Sequence, residues 1–194
     1  MSPRFLLLLF PFFTLTLSLS PAGSPLDANP AASMERKLEH IRSNSRLPHP
    51  DPTPTVFTED EINAYLADSR TRFPAGVESV HFQEDPGMVT AALKIDFDEL
   101  KAGRTAENPL LSIFAGVHDV VARAHAHGAD GKAFVAVDSV SIDKVEIPRL
   151  VLQLFVDRYL RPQYPQAGLD SEFALPAKID TGVVGSHRLT LTQS

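Results

Sequence analysis

The sequence predicts an α+β domain, an antiparallel sheet with helices packed on one of its faces. Three observations predict it. Segments of period-two apolar alternation come in neighbouring pairs joined by short Gly-, Asp- or Pro-containing turns, the mark of antiparallel hairpins. Two helical segments, each with a clear start signal, are placed before and between those pairs. The links are short, and no Gly-rich phosphate loop or alternating strand–helix–strand rhythm points to a parallel sheet.

The first helical element begins in "VFTEDEINAYLADSR" (56–70). Thr58 followed by Glu61 forms a capping box, and Phe57 with Ile62 forms the hydrophobic staple that goes with it. Glu59, Asp60 and Glu61 set negative charge on the positive end of the helix dipole, which explains the acidic run without any metal or acid–base chemistry. Ile62, Tyr65 and Leu66 make one apolar face, and Pro74 with Gly76 ends the segment.

The strands follow. "VESVHFQ" (77–83) places Val80 and Phe82 on one side, and "EDPG" (84–87) is a turn. "MVTAALKIDFDEL" sends Val89, Ala91, Leu93, Ile95 and Phe97 one way, and Thr90, Lys94, Asp96 and Asp98 the other. Pro109 suits the start of a short helical turn carrying Leu110, Leu111, Ile113 and Phe114. "VHDVVARAHAHG" (117–128) alternates Val120, Ala122, Ala124 and Ala126 against Asp119, Val121, Arg123, His125 and His127. "GADGK" closes this strand onto "AFVAVDSVSIDKVEI", whose alternation slips near Asp138 and Ser139 as at a β-bulge. Pro148 opens a second helix, 149–161, gathering Leu150, Val151, Leu154, Phe155 and Val156. "AKIDTGVV" and "HRLTLTQ" flank Gly185 and Ser186 as a third hairpin. The count is about six strands and two packed helices.

Upstream, the chain of 194 residues starts with Arg4 and an apolar run from Phe5 to about Leu19, followed by small residues at Ser18, Ser20 and Ala22. This is the pattern of a secretory signal peptide over 1–22. The run is shorter than the roughly 20 residues of a membrane span and contains Pro11. Residues 23–55 are expected to form a Pro-rich linker with room for one short helix: "MERKLEHIR" sets Met34, Leu38 and Ile41 on one stripe, too short to be stable alone, which either docks on the domain or frays. The folded domain is expected over 56–194. Export and periplasmic or extracellular residence are therefore expected, with stability drawn from a packed core because there is no Cys to form disulfides. Without the signal, 17 basic face 24 acidic side chains, a net charge of −7. That balance argues against nucleic acid and against strong attraction to anionic headgroups.

Candidate chemistry is sparse. His125 and His127 at i, i+2, with Asp96 and Asp98 on an earlier strand, make a metal site imaginable, but Arg123 on the same face repels a cation. A solvated sheet face accounts for these residues better, and no metal or other cofactor is expected. There is no Cys nucleophile and no G-x-S-x-G setting; "GSH" (185–187) belongs to a turn. The paired carboxylates have no neighbour in sequence that would raise a pKa. No catalytic residue is expected, so the reading is non-enzymatic.

The informative feature is apolar. Alanine is depleted in strands, so the column Ala122, Ala124, Ala126 needs a reason: close approach of a helix, or room for a ligand. With Leu93, Ile95, Phe97, Val120, Phe134, Leu154 and Phe155 around it, this column is a candidate lining for an acyl-chain groove.

In element order over residues 55–193, with "FTEDEINAYLA" at the head and "IPRLVLQLFVDRYL" before the last hairpin, the chain resembles small TULIP-like bacterial envelope lipid-binding proteins, the YceB-like lipoproteins and LmeA-like phospholipid-binding proteins. The "EINAYLA" helix is the sharpest point of likeness. The resemblance implies a strongly curved antiparallel sheet wrapped around a helix and a hydrophobic groove for lipid. The chain departs from the YceB-like pattern in lacking the lipidated Cys, which leaves out that mode of membrane tethering. The expected partner is an apolar small molecule or lipid, with transient membrane or envelope-protein contact. The alternative is a structural or protein-interaction module of the envelope with a filled core; a hydrolase ranks third.

Overall fold

The computed structural model describes residues 29–68, 71–101, 115–161 and 168–194. The proposed signal peptide, the 109–114 helical turn and the prolines at 162 and 165 lie outside them. Among the described residues no helix is long and apolar enough to cross a membrane.

The chain opens with α1 (Pro30–Asn44), capped by the Asn29 side chain, which accepts from the Ala31 amide, with Pro30 in the first turn. Its Met34, Leu38 and Ile41 are 1–3% exposed. The stripe seen within the Pro-rich segment is therefore core, and tertiary packing supplies the stability that 15 residues lack alone. After β1 (Thr55–Thr58) comes α2 (Glu59–Ala67). The capping box is present: Thr58 Oγ1 accepts from the Glu61 amide at 3.2 Å, and Glu61 Oε2 accepts from the Thr58 amide at 2.8 Å. Phe57 and Ile62, the staple pair, both enter the main core.

Next are the hairpin β2 (Val77–Asp85) and β3 (Met88–Asp96), then the short α3 (Phe97–Lys101). Phe97 thus begins a helix instead of ending a strand; Asp96 Oδ1 accepts from the amides of Asp98 and Glu99 and turns the chain there. The long hairpin β4 (Val117–Ala129) and β5 (Lys132–Ile142) has Asp130 and Gly131 at φ 53° and 71°, the two left-handed positions of a tight two-residue turn. The register shifts between Arg123 and Ala124, leaving Asp138 as the extra residue, so the slip in alternation is a bulge. Then follow β6 (Val145–Glu146), α4 (Arg149–Phe155), a π-helical turn over Val156–Leu160, β7 (Asp170–Ala174), β8 (Ile179–Gly185) and β9 (Arg188–Gln193).

Among the described residues the fold is α+β: one open, curved antiparallel sheet of nine strands with four helices and the π-helical turn. The three strands beyond the expected six are β1, β6 and β7, of four, two and five residues. They are too short for a period of two to stand out in sequence.

The sheet branches at β4. One edge of β4 pairs with β5, which carries β6 and β7. The other edge pairs with β3 over Val117–His125, and then with β8 at His127 and Gly128. The wing β8–β9–β1 therefore continues where β3 stops. This junction depends on glycine: a Cβ on Gly128 would fall 2.7 Å from the backbone nitrogen of Gly182. Helices α1 and α2 close the main core over this junction, with Phe57, Phe82, Val89, Ala91, Ala124, Ala126, Val135, Val184 and Leu191 beneath them.

Expected to pack beside α2, the 149–161 helix plays a smaller part. No residue of α4 is buried, whereas Val156 just after it is. The helix that shares the core with α2 is α1, in the segment taken for a linker.

An apolar end of the sheet as candidate functional site

Away from α1 and α2, a second apolar cluster forms around Phe97 and Val120, with Leu93, Ile95, Leu100, Val140, Ile142 and Phe155 partly buried against it. Antiparallel register explains the gathering. Leu93 is opposite Val120 and Ile95 opposite His118 in β3–β4, while Val120 faces Ile142 and Ala122 faces Val140 in β4–β5. The bulge at Asp138 lets Val137 and Val140 both take the inner face although three positions apart. Leu93 touches both clusters, so the two are continuous along one face.

The predicted lining divides accordingly. Leu93, Ile95, Phe97, Val120 and Phe155 come together. Ala124, 1% exposed, belongs to the main core, as Ala126 does. For these two the small side chain serves close packing, and a larger residue at 124 would overpack at about 1–3 kcal/mol. Ala122 lies between the clusters and is only half-buried. Phe134 and Leu154 require correction. Phe134 is on the opposite face, stacked on His127 with ring centroids 4.9 Å apart, because the two-residue turn fixes it across from that outward histidine. Leu154 points away and is 49% exposed, since Phe155 and Val156 take the inward side of the turn.

α4 is tethered over this end mainly by polar contacts. Arg149 Nη1 donates to the Val137 carbonyl at 2.9 Å and Nη2 to Asp170 Oδ2 at 2.8 Å. Its Leu150 is 73% exposed, and Val117 of β4 and Val145 of β6 are 47% and 65% exposed. At the rim His118 sets its ring edge-on to Phe97 and bonds Asp143 through Nδ1 at 2.5 Å. That hydrogen bond raises the His118 pKa above its ordinary value.

The imagined metal residues are not brought together. Asp96 pairs with Val117 at one end of β4, whereas His125 is eight residues along it, roughly 26 Å at the strand rise. Asp96 and Asp98 are engaged with α3 and Gly116 amides. No metal-holding group of His, Asp and Glu occurs among the described residues.

Two polar clusters escaped sequence reasoning. Glu61, 8% exposed, receives Lys37 Nζ at 2.6 Å and the Ser33 hydroxyl at 2.6 Å, tying α1 to the cap of α2. Burial opposes its ionisation, but the hydrogen bonds from Lys37, Ser33 and Thr58 outweigh this and hold its carboxyl below the usual range. The second cluster joins Glu59, Glu84 and His187. Glu59 Oε2 accepts from the Glu84 amide at 3.0 Å and lies 2.9 Å from His187 Nδ1. Glu84 is 3% exposed and its Oε2 has no hydrogen-bond partner among the described residues. The signal available in sequence was slight: Glu84 falls on the same inward phase of β2 as Val80 and Phe82, where a carboxylate is out of place.

Compared with protein-family models, curated proteins and solved structures, the chain finds no match.

Proposed function

We propose that this is an exported, non-enzymatic protein that binds and carries an apolar ligand of lipid class, received between the β3–β4–β5 end of the sheet and α4. The observation that carries the reading is the half-buried apolar surface there. Phe97 and Val120 are the buried members, whereas Leu93, Ile95, Ala122, Val140 and Ile142 stay partly open, as does Phe155 of the helix that displays Leu150. A contiguous apolar surface of this kind is a usual mark of a binding region. The resemblance to TULIP-like envelope proteins supports the same ligand class.

The test is Ala122→Phe. Filling the space between the two clusters is expected to weaken uptake of a fluorescent fatty acid or phospholipid about tenfold, or about 1.4 kcal/mol, with a nearly unchanged melting midpoint. If the wild-type protein takes up neither probe and organic extracts of it carry no lipid by mass spectrometry, the reading fails in favour of a protein-interaction module. Export is tested separately. The run Phe5–Leu19 is expected to be removed, leaving a mature chain that starts near Gly23 or Pro25; envelope-fraction protein that still begins near Met1 on N-terminal sequencing would refute it.

A further inference from the structure

The β2–β3 hairpin and the β8–β9 turn belong to the two parts of the sheet that share one edge of β4, and they meet at a seam. Two backbone bonds cross it: Gly87 N donates to Val184 O and His187 N to Glu84 O, both at 2.9 Å; beside them Glu59 N, at the start of α2, donates to His187 O at 3.1 Å. At the seam is the Glu84 carboxyl, with a buried oxygen that no donor among the described residues reaches. Glu59 from α2 and His187 from the turn flank it, His81 is close enough to act on Glu59, and Asp85 on His187.

We propose that Glu84, Glu59 and His187 form a proton-operated latch across this seam, closed while Glu84 carries its proton and loosened when it is lost. A carboxylic acid can share its proton with Glu59, whereas two adjacent carboxylates in a nearly dry site repel each other. Burial first, and the Glu59 carboxylate next, push the Glu84 pKa up from 4.5 to about 7.

The signs agree. Glu84 binds its proton more tightly in the closed state, so its stabilisation is full below pH 4.5 and is lost as pH rises through about 7. His187 is raised by its hydrogen bond to Glu59, so its contribution too is lost as pH rises. At Glu59 burial opposes ionisation, but the Glu84 amide and His187 outweigh it and lower its pKa; that contribution is lost only as pH falls below the ordinary carboxylate range. Opening would part the β8–β9–β1 wing from the β2–β3 hairpin while leaving the β4–β5 hairpin intact.

Amide hydrogen exchange on the full chain, corrected for the intrinsic pH dependence of exchange, tests this. Protection at the Gly87 and His187 amides is expected to fall about tenfold from pH 6 to pH 8, the ratio that linkage gives for a group moving between the two pKa values. In Glu84→Gln, where an amide stands in for the protonated acid, the fall should be smaller than in the wild type, what remains being the His187 contribution, and amides within α1 should show no such change in either protein. Flat protection in the wild type, or an equal fall in Glu84→Gln, overturns the latch. If that variant does not fold, a carboxyl-carbon titration of wild-type Glu84 decides: a midpoint near 7 supports the latch and one near 4.5 overturns it.

Discussion

Phe57→Ala is expected to lower the unfolding free energy by about 3–5 kcal/mol, the loss that follows when a buried aromatic leaves a cavity its neighbours cannot fill. Phe57 is fully buried, and it combines three tasks. It is the inward residue of β1, paired across the ladder with Leu189. It precedes the Thr58 cap as half of the staple, and its ring lies 5.8 Å from Lys37 Nζ, the cation that holds Glu61. A domain of this size has about 5–15 kcal/mol of stability in all, so the variant should be close to unfolded at moderate urea. Val56→Ala next to it, at 39% exposure, should fall within about 0.5 kcal/mol of the wild type. Urea melts of the two variants side by side check both. Equal midpoints would show that α1 and α2 do not close the core over this ring.

Gly128→Val is expected to cost about 3 kcal/mol or more, at the upper end of what overpacking produces. The reason is backbone against backbone. A Cβ at this position meets the Gly182 nitrogen at 2.7 Å and a Leu175 methyl at 3.0 Å, and a ladder strand cannot shift aside as a side chain can. Because β8 joins β4 only at His127 and Gly128, the damage should concentrate in the β8–β9–β1 wing. The measurement is amide exchange of the variant, with protection lost in β8 and β9 before β3–β4. Uniform loss over all strands, or a melt equal to the wild type's, would contradict the account.

Much of this fold is legible in sequence because its signals are local. The Thr58–Glu61 box, the turn pairs and the slip at Asp138 each involve neighbours within a few residues, and each appears where expected. The rest depends on distant partners. The Met34–Leu38–Ile41 stripe is visible, but its docking is fixed by Asn44, whose Nδ2 donates to Gln193 Oε1 at 2.8 Å across 149 positions. At the candidate site, alternation on β3 and β4 assigns Leu93, Ile95 and Val120 to one face, since polar residues mark the other. In "AFVAV" (133–137) both phases are apolar, so Phe134 cannot be assigned without the register to His127. "LVLQLFV" (150–156) has the same ambiguity in a helix, and Leu154 is misplaced for that reason. The Glu59–Glu84–His187 cluster draws on three elements, and no spacing along the chain announces it.

The Asn44–Gln193 bond has a consequence for the order of events during synthesis. Gln193 also donates to the carbonyls of Ile41 and Ala177, and β9 is the only strand that β1 pairs with among the described residues. The helix translated early thus finds its polar anchor in a strand made 149 positions later. Until β9 has emerged, the apolar stripe of α1 has no complete seat, and the β4–β5 hairpin can form well before it. Docking of α1 becomes a step that waits for β9, and until then Met34, Leu38 and Ile41 present a surface that a chaperone can hold.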